Sequence, residues 1–127
     1  MPRPRVVIAD DYVEARALVA RVLKAEFDVV AAVADGQAAV DACSSLHPDV
    51  VVLDISMPVL NGFLAADIIR RLPDAPRILF LTAHDDADFA RAARELGASE
   101  LVSKRRTATD LVPAVHRALH VVGESRA

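Results

Sequence analysis

Five polar residues in this sequence have the side chains needed to act together on a phosphoryl group. Asp10 and Asp11 directly follow a short apolar run, Asp54 and Thr82 each end a similar run, and Lys104 follows a fourth. A carboxylate can act as a nucleophile, a hydroxyl can donate a hydrogen bond, and an ammonium can balance negative charge during phosphoryl transfer. Because all five lie at the ends of apolar runs, the runs themselves must position them.

Five apolar runs alternate along the chain with five stretches of helical period. The runs are mostly continuous rather than alternating, which is typical of strands buried on both faces. Strands that alternate with helices favour an α/β fold, with a parallel sheet covered by helices on both sides. The predicted strands are Val6–Ala9, Val29–Val33, Val50–Leu53, Ile78–Leu81 and Leu101–Ser103.

The predicted helices are defined by apolar residues that recur at helical spacing. The second helix should start after Asp35-Gly36, the third after Asn61-Gly62, the fourth at Asp85-Asp86 and the fifth near Thr109. In chain order their apolar residues are Ala15, Leu18, Val19, Val22 and Leu23; Ala39, Ala42, Cys43 and Leu46; Leu64, Ile68, Ile69 and Leu72; Phe89, Ala92, Ala93 and Leu96; and Leu111, Val112, Val115 and Leu119.

The end of the chain allows two further predictions. Pro113 should fall in the first turn of the fifth helix, where the missing N–H of proline costs nothing. Residues 123–127 should form the start of a linker or a frayed end. We therefore expect one domain over residues 1–127, with a core from about 5 to 122.

Composition narrows the class of protein. The chain has 127 residues, 54% hydrophobic and 26% charged, which suits one packed domain and not a disordered chain. A net charge of −3 argues against a basic nucleic-acid interface. The lone Cys43 rules out an intrachain disulfide, and no apolar run is long enough for a signal peptide or membrane span. We expect a cytoplasmic protein that contacts neither nucleic acid nor membrane directly.

The carboxyl ends of parallel strands lie at one edge of the sheet, so these polar residues should converge if the first and third strands are neighbours. Three carboxylates in one pocket would repel one another unless protons or a hard cation relieved the repulsion. Oxygen ligands with few carboxylates suit Mg²⁺, which also accepts a phosphate oxygen. Taken singly, each residue has an ordinary explanation as a turn, cap or solvated charge. Their joint placement favours a site.

The sequence resembles the receiver domain of two-component response regulators over Arg5 to about Val122. The residues that carry the resemblance are Val7-Ile8-Ala9-Asp10-Asp11, Asp49-Val50-Val51-Val52-Leu53-Asp54-Ile55-Ser56-Met57-Pro58, Asn61-Gly62, Leu79-Phe80-Leu81-Thr82-Ala83, Gly97-Ala98 and Leu101-Val102-Ser103-Lys104. The resemblance implies a doubly wound, flavodoxin-like (βα)5 fold with strand order 2-1-3-4-5. The segment Ile8-Ala9-Asp10-Asp11 is most similar to the corresponding segment of receivers attached to helix-turn-helix DNA-binding domains.

The resemblance also implies roles for the five polar residues. Asp54 would accept a phosphoryl group from the histidine of a sensor kinase, with Lys104 and Thr82 contacting that group. Mg²⁺ (or Mn²⁺) would be bound by Asp11, Asp54 and the backbone carbonyl of Ser56, and by Asp10 mainly through water. The movement of Thr82 would shift the face formed by the fourth helix, fifth strand and fifth helix, which includes Arg91, Glu95, Leu101, Arg105 and Arg106.

The sequence departs from the family pattern at two positions. Leu101 stands where relatives often have an aromatic residue that rotates with the threonine, and Arg105 stands where they often have a proline in a cis bond. A cis bond without proline would cost about 3 kcal/mol, so we expect trans. Ser56 and His84 occupy positions that tune phosphoryl lifetime in relatives, although His84 could equally be an exposed loop residue.

Other classes fit less well. A flavin-binding domain would need a phosphate loop rich in Ser, Thr or Gly after the first strand, and Asp10-Asp11-Tyr12 would repel phosphate there. A phosphatase of the haloacid dehalogenase type would need an Asp-x-Asp pattern at that position. Two alternatives stay open: a stand-alone or degenerate receiver that acts only as an interaction module, and a fragment of a longer regulator. A second copy of the chain, in a homodimer, is a candidate partner on activation. We do not expect an enzyme beyond self-phosphorylation and self-dephosphorylation.

Overall fold

The computed structural model describes residues 2–83 and 87–125, with side chains described up to residue 120. Five parallel strands form one sheet in the order β2-β1-β3-β4-β5. The strands are β1 (Arg5–Ala9), β2 (Asp28–Val33), β3 (Val50–Asp54), β4 (Arg77–Thr82) and β5 (Glu100–Ser103). The helices are α1 (Val13–Lys24), α2 (Gly36–Leu46), α3 (Gly62–Ile69), α4 (Ala87–Glu95) and α5 (Thr107–Ser125). The predicted fold class and strand order are confirmed.

Helices cover both faces of the sheet, as the continuous apolar strands predicted. On one face α2, α3 and α4 contribute buried residues such as Ala39, Ala66 and Ala93. On the other face α1 and α5 contribute residues such as Leu23 and Leu111. The central strands β1, β3 and β4 therefore bury both of their faces, whereas the edge strands β2 and β5 are partly exposed. In the central strands, polar side chains are left to the strand ends.

Two helix starts are fixed by side-chain caps. The carboxylate of Asp35 accepts the N–H of Ala38 at 2.8 Å, and Asn61 Oδ1 accepts the N–H of Leu64 at 2.9 Å. Each cap satisfies a backbone N–H that has no partner within its helix. The predicted starts of α2 and α3 are confirmed, whereas the predicted start of α4 at Asp85-Asp86 lies outside the described residues, as does His84.

The predicted apolar stripe of α3 is wrong in part. Leu64 and Ile68 are 54% and 41% exposed, while the small residues Ala65 and Ala66 are fully buried beside Ile69. Small side chains allow the helix to lie close to the sheet, so the larger residues face outward. The helix also ends at Ile69, before the predicted Leu72.

One prediction about the fifth helix is wrong. A 3-10 turn, Lys104–Arg106, leads directly into α5 at Thr107, so Pro113 is the seventh residue of the helix and not part of its first turn. The helix extends to Ser125, and the linker or frayed end expected over residues 123–127 stays a prediction. Residues 126 and 127 lie outside the described part of the chain. The peptide bond before Arg105 is trans, as expected.

Candidate functional site

Three carboxylates meet at the carboxyl edge of the sheet. Asp10 follows β1 and Asp54 ends β3, and these two strands pair directly, with Ala9 opposite Leu53. Asp10, Asp11 and Asp54 each have a carboxylate oxygen within 4.8 Å of the other two. We call these three residues the acidic pocket. Asp10 and Asp54 are buried and Asp11 is exposed, so the pocket opens to solvent on the Asp11 side.

Lys104 links the two buried carboxylates. Its Nζ lies 3.1 Å from Asp10 Oδ2 and 3.1 Å from Asp54 Oδ2. The strand β5 and the 3-10 turn bring the lysine there, because β5 lies two strands away from β3 and ends at the same edge. One cation thus faces two buried anions, and the pocket has an excess of negative charge.

The backbone supplies the remaining contacts of the carboxylates. The N–H of Tyr12 donates to Asp10 Oδ1 at 3.0 Å, and the N–H of Ser56 donates to Asp54 Oδ1 at 3.3 Å. Asp10 Oδ2 is buried and lies 3.1 Å from the Lys104 ammonium, which also contacts Asp54. Two buried carboxylates that share one ammonium leave negative charge uncompensated, so the pocket is suited to a further cation.

The charge imbalance is reflected in the pKa of Asp54. Burial and, second, the neighbouring charge of Asp10 raise this pKa from 3.8 to about 6, although Lys104 and the Ser56 N–H act in the opposite direction. Burial alone would lower the pKa of Lys104, but the two carboxylates outweigh burial and raise it. Without a further cation, the ionised form of Asp54 is therefore less favourable than that of an exposed carboxyl. A divalent ion would offset the repulsion between Asp54 and Asp10.

Thr82 is the last residue of β4 and is 2% exposed. In the sheet it lies opposite Ser103, and the preceding Leu81 pairs with Asp54. Thr82 therefore lies one residue further in the strand direction than Asp54, the candidate nucleophile. All of the predicted side chains come to this edge of the sheet, although the role of the Ser56 carbonyl stays a prediction.

Sequence reasoning missed the residues that support the site. Arg16 Nη1 donates to the backbone carbonyl of Asp10 at 2.9 Å, which fixes α1 against the end of β1. At Gly62 an added Cβ would lie 2.3 Å from the carbonyl oxygen of Asp54, so only glycine allows α3 to begin this close to the pocket. The Asn61-Gly62 pair predicts a helix start, but the contact of Gly62 with Asp54 is between residues distant from a local motif and leaves no signal in the sequence.

Comparisons with known proteins agree with this geometry. The family model of the response regulator receiver domain matches residues 6–116. The chain belongs to the response regulator receiver domain family. It is 40% identical over 114 residues to the transcriptional regulatory protein DegU of Brevibacillus brevis, which covers 87% of this chain and 48% of DegU. The receiver of the response regulator NarL from Mycobacterium tuberculosis superimposes with a TM-score of 0.87 and 33% identity, covering 94% and 98% of the two chains.

The relatives are longer proteins with different outputs. A protein-glutamate methylesterase/protein-glutamine glutaminase of Anaeromyxobacter dehalogenans is 40% identical over 110 residues, which are 84% of this chain and 32% of that protein. This receiver thus spans about half or less of the length of these two curated relatives. Receiver domains are signalling modules, and some are joined to enzymes. Among the described residues, no helix is long and apolar enough to span a membrane.

Proposed function

We propose that Asp54 accepts a phosphoryl group from the phosphohistidine of a sensor histidine kinase. An oxygen of Asp54 forms the new bond to phosphorus while the bond between phosphorus and the histidine nitrogen breaks, and its electron pair stays on the imidazole. The observation that carries the proposal is the position of Asp54, a buried carboxylate in the acidic pocket 3.1 Å from Lys104.

We propose that Mg²⁺, or Mn²⁺, binds in the acidic pocket. Asp11 and Asp54 are the direct ligands, Asp10 acts mainly through water, and the backbone carbonyl of Ser56 completes the protein ligands. The all-oxygen donor set and the excess of three carboxylates over one ammonium both fit a hard cation. When bound, the ion offsets the negative charge that spreads over the phosphoryl oxygens during transfer.

Lys104 and Thr82 complete the proposed site. Lys104 already lies within ion-pair distance of Asp54, so a phosphoryl group on Asp54 is within reach of the same ammonium. The Thr82 hydroxyl then donates a hydrogen bond to the phosphoryl group, since Thr82 ends the strand next to Asp54. The movement of the Thr82 side chain towards the phosphoryl group transmits the signal to α4, because α4 is the next helix after Thr82 in the chain.

The output face is proposed to be α4, β5 and α5, and the output to be transcription through a DNA-binding domain in the full-length protein. In α4 only Ala93 is fully buried among the described residues, so little burial resists a shift of this helix. A cavity of about 210 Å³ lies between α4 and β5, beside Leu101. A second copy of the chain is a candidate partner of this face on activation. The name of DegU, a transcriptional regulatory protein, supports the transcriptional output.

A degenerate receiver that only binds partners is the alternative. Leu101 and Arg105 favour it, because both depart from the family pattern. The complete acidic pocket and the lysine that contacts it favour phosphorylation, since a module used only for binding has no need of them.

The proposed function is tested by treating the protein with acetyl phosphate and Mg²⁺ and measuring the intact mass. Wild type should gain one phosphoryl group, Asp54→Ala none, and the control Asp41→Ala, an exposed aspartate on α2, as much as wild type. Chelation of Mg²⁺ should abolish the gain. The same adduct on wild type and Asp54→Ala would show that another residue is the acceptor.

A further inference from the structure

An open groove of about 540 Å³ adjoins the acidic pocket. Asp11 and Ser56 line the end of the groove nearest the pocket, and Ile55, Met57, Phe63 and Phe89 line its apolar part. We call it the aromatic groove. Its volume falls within the range of about 300–1,000 Å³ that is typical of small-molecule sites. Because Asp11 belongs both to the groove and to the acidic pocket, a molecule in the groove is next to Asp54.

The two phenylalanine rings in the groove are held in a fixed relation. The ring of Phe63 packs edge-on against Phe89, with centroids 5.9 Å apart and an interplanar angle of 81°. On its other side Phe63 packs against the buried Phe80 at 5.2 Å, also at 81°. Phe80 anchors the pair to β4, while Phe63 and Phe89 stay partly exposed. Perpendicular rings offer a π face and a ring edge to a guest in the same groove.

A planar cation is the guest that this groove fits. Ring faces attract cations, and both Phe63 and Phe89 line the groove. The imidazole of a phosphohistidine is planar and, when protonated at its second nitrogen, positively charged. Acetate, the leaving group of acetyl phosphate, is an anion and gains nothing from the ring faces.

We propose that the aromatic groove is the subsite for the imidazole of the donor's phosphohistidine, and that Phe63 and Phe89 determine specificity for it. This inference rests on the proposed function. In the transfer, the protonated phosphoimidazole gives its phosphoryl group to an Asp54 oxygen. The electron pair of the broken P–N bond stays on nitrogen, and the ring leaves as neutral imidazole. Phe63 and Phe89 hold the ring and take no part in the bond changes.

The test compares two small phosphodonors, N-phosphoimidazole and acetyl phosphate, with Mg²⁺ present. The second-order rate constant for phosphorylation is measured for wild type, Phe89→Leu, Phe63→Leu and Phe89→Tyr. In the leucine variants the ratio of the N-phosphoimidazole rate to the acetyl phosphate rate should fall about three- to tenfold, with the acetyl phosphate rate within about twofold of wild type. Phe89→Tyr keeps the aromatic ring and should keep the ratio.

Leu64→Ala is the matched control, because Leu64 follows Phe63 on α3 but is 54% exposed and does not line the groove. Its ratio should equal that of wild type. The subsite would be overturned if the ratio stayed unchanged in both leucine variants, or if both donors were slowed equally. In either case, phosphorylation of wild type by acetyl phosphate would still support the proposed function. If neither donor modified wild type, the proposed function itself would fail, and the subsite with it.

Discussion

Replacement of Asp54 by asparagine should stabilise the fold at neutral pH when no divalent cation is present. The pKa of Asp54 is raised from 3.8 to about 6 by burial and by Asp10, so the folded state binds a proton more tightly than the unfolded state does. For a carboxyl with a raised pKa, stability falls as pH rises through the interval between the two pKa values. Asparagine has no charge to bury, so the variant avoids this loss.

The size of the effect follows from the two pKa values. A pKa of about 6 in place of 3.8 lowers the free energy of unfolding by about 3 kcal/mol at pH 7, where the carboxyl is ionised in both states. At pH 4.5 the same linkage gives about 1 kcal/mol, because the folded carboxyl is then mostly protonated. The advantage of Asp54→Asn should therefore grow by about 2 kcal/mol between pH 4.5 and pH 7, and the growth should end slightly above pH 6.

The assay is urea unfolding of wild type and variant in chelator across this pH range. Asp67→Asn is a control of opposite sign: Asp67 is exposed, and hydrogen bonds from Arg70 and Arg71 lower its pKa, so this variant should lose stability at neutral pH. If Asp54→Asn were less stable than wild type at pH 7, or if its advantage did not change with pH, the account of the pocket as an unrelieved anionic cluster would be wrong.

Three further predictions concern the metal and the backbone. Mg²⁺ at ten times its dissociation constant should stabilise wild type by about 1.4 kcal/mol, and a melting temperature indifferent to millimolar Mg²⁺ would contradict the metal site. Gly62→Ala should lower the free energy of unfolding by about 1–3 kcal/mol, because the new Cβ would lie 2.3 Å from the Asp54 carbonyl oxygen. An unchanged midpoint of chemical unfolding would contradict this contact. Pro113→Ala should raise the free energy of unfolding by about 1 kcal/mol or more, because it restores an N–H that can donate to the carbonyl of Thr109 within α5. A loss of stability would argue against a helical position for Pro113.

The sequence was sufficient to predict the five strands and the polar residues at the carboxyl edge of the sheet. Strands buried on both faces are continuous apolar runs, and the polar residue that ends each run marks the sheet edge, as for Asp54 and Thr82. The strand order came from the resemblance and not from the pattern, because periodicity does not determine which strands are neighbours. The distance between Lys104 and Asp54 likewise depends on that order.

Features set by close packing could not be predicted from periodicity. In α3 the alanines Ala65 and Ala66 occupy the buried side and the larger Leu64 and Ile68 point outward, which reverses the usual pattern. The start of α5 was misjudged because a 3-10 turn at Lys104–Arg106 continues directly into the helix, and such turns have no periodic apolar signal.

The central claim, that Asp54 is the phosphoryl acceptor of a cation-binding pocket, is tested most directly by locating the modified residue. Wild type treated with acetyl phosphate and Mg²⁺ is reduced with borohydride, which converts an aspartyl phosphate to homoserine, and the peptides are sequenced by mass spectrometry. The account predicts homoserine at position 54, dependent on Mg²⁺. Homoserine at another position, or the same yield at position 54 after chelation, would contradict it.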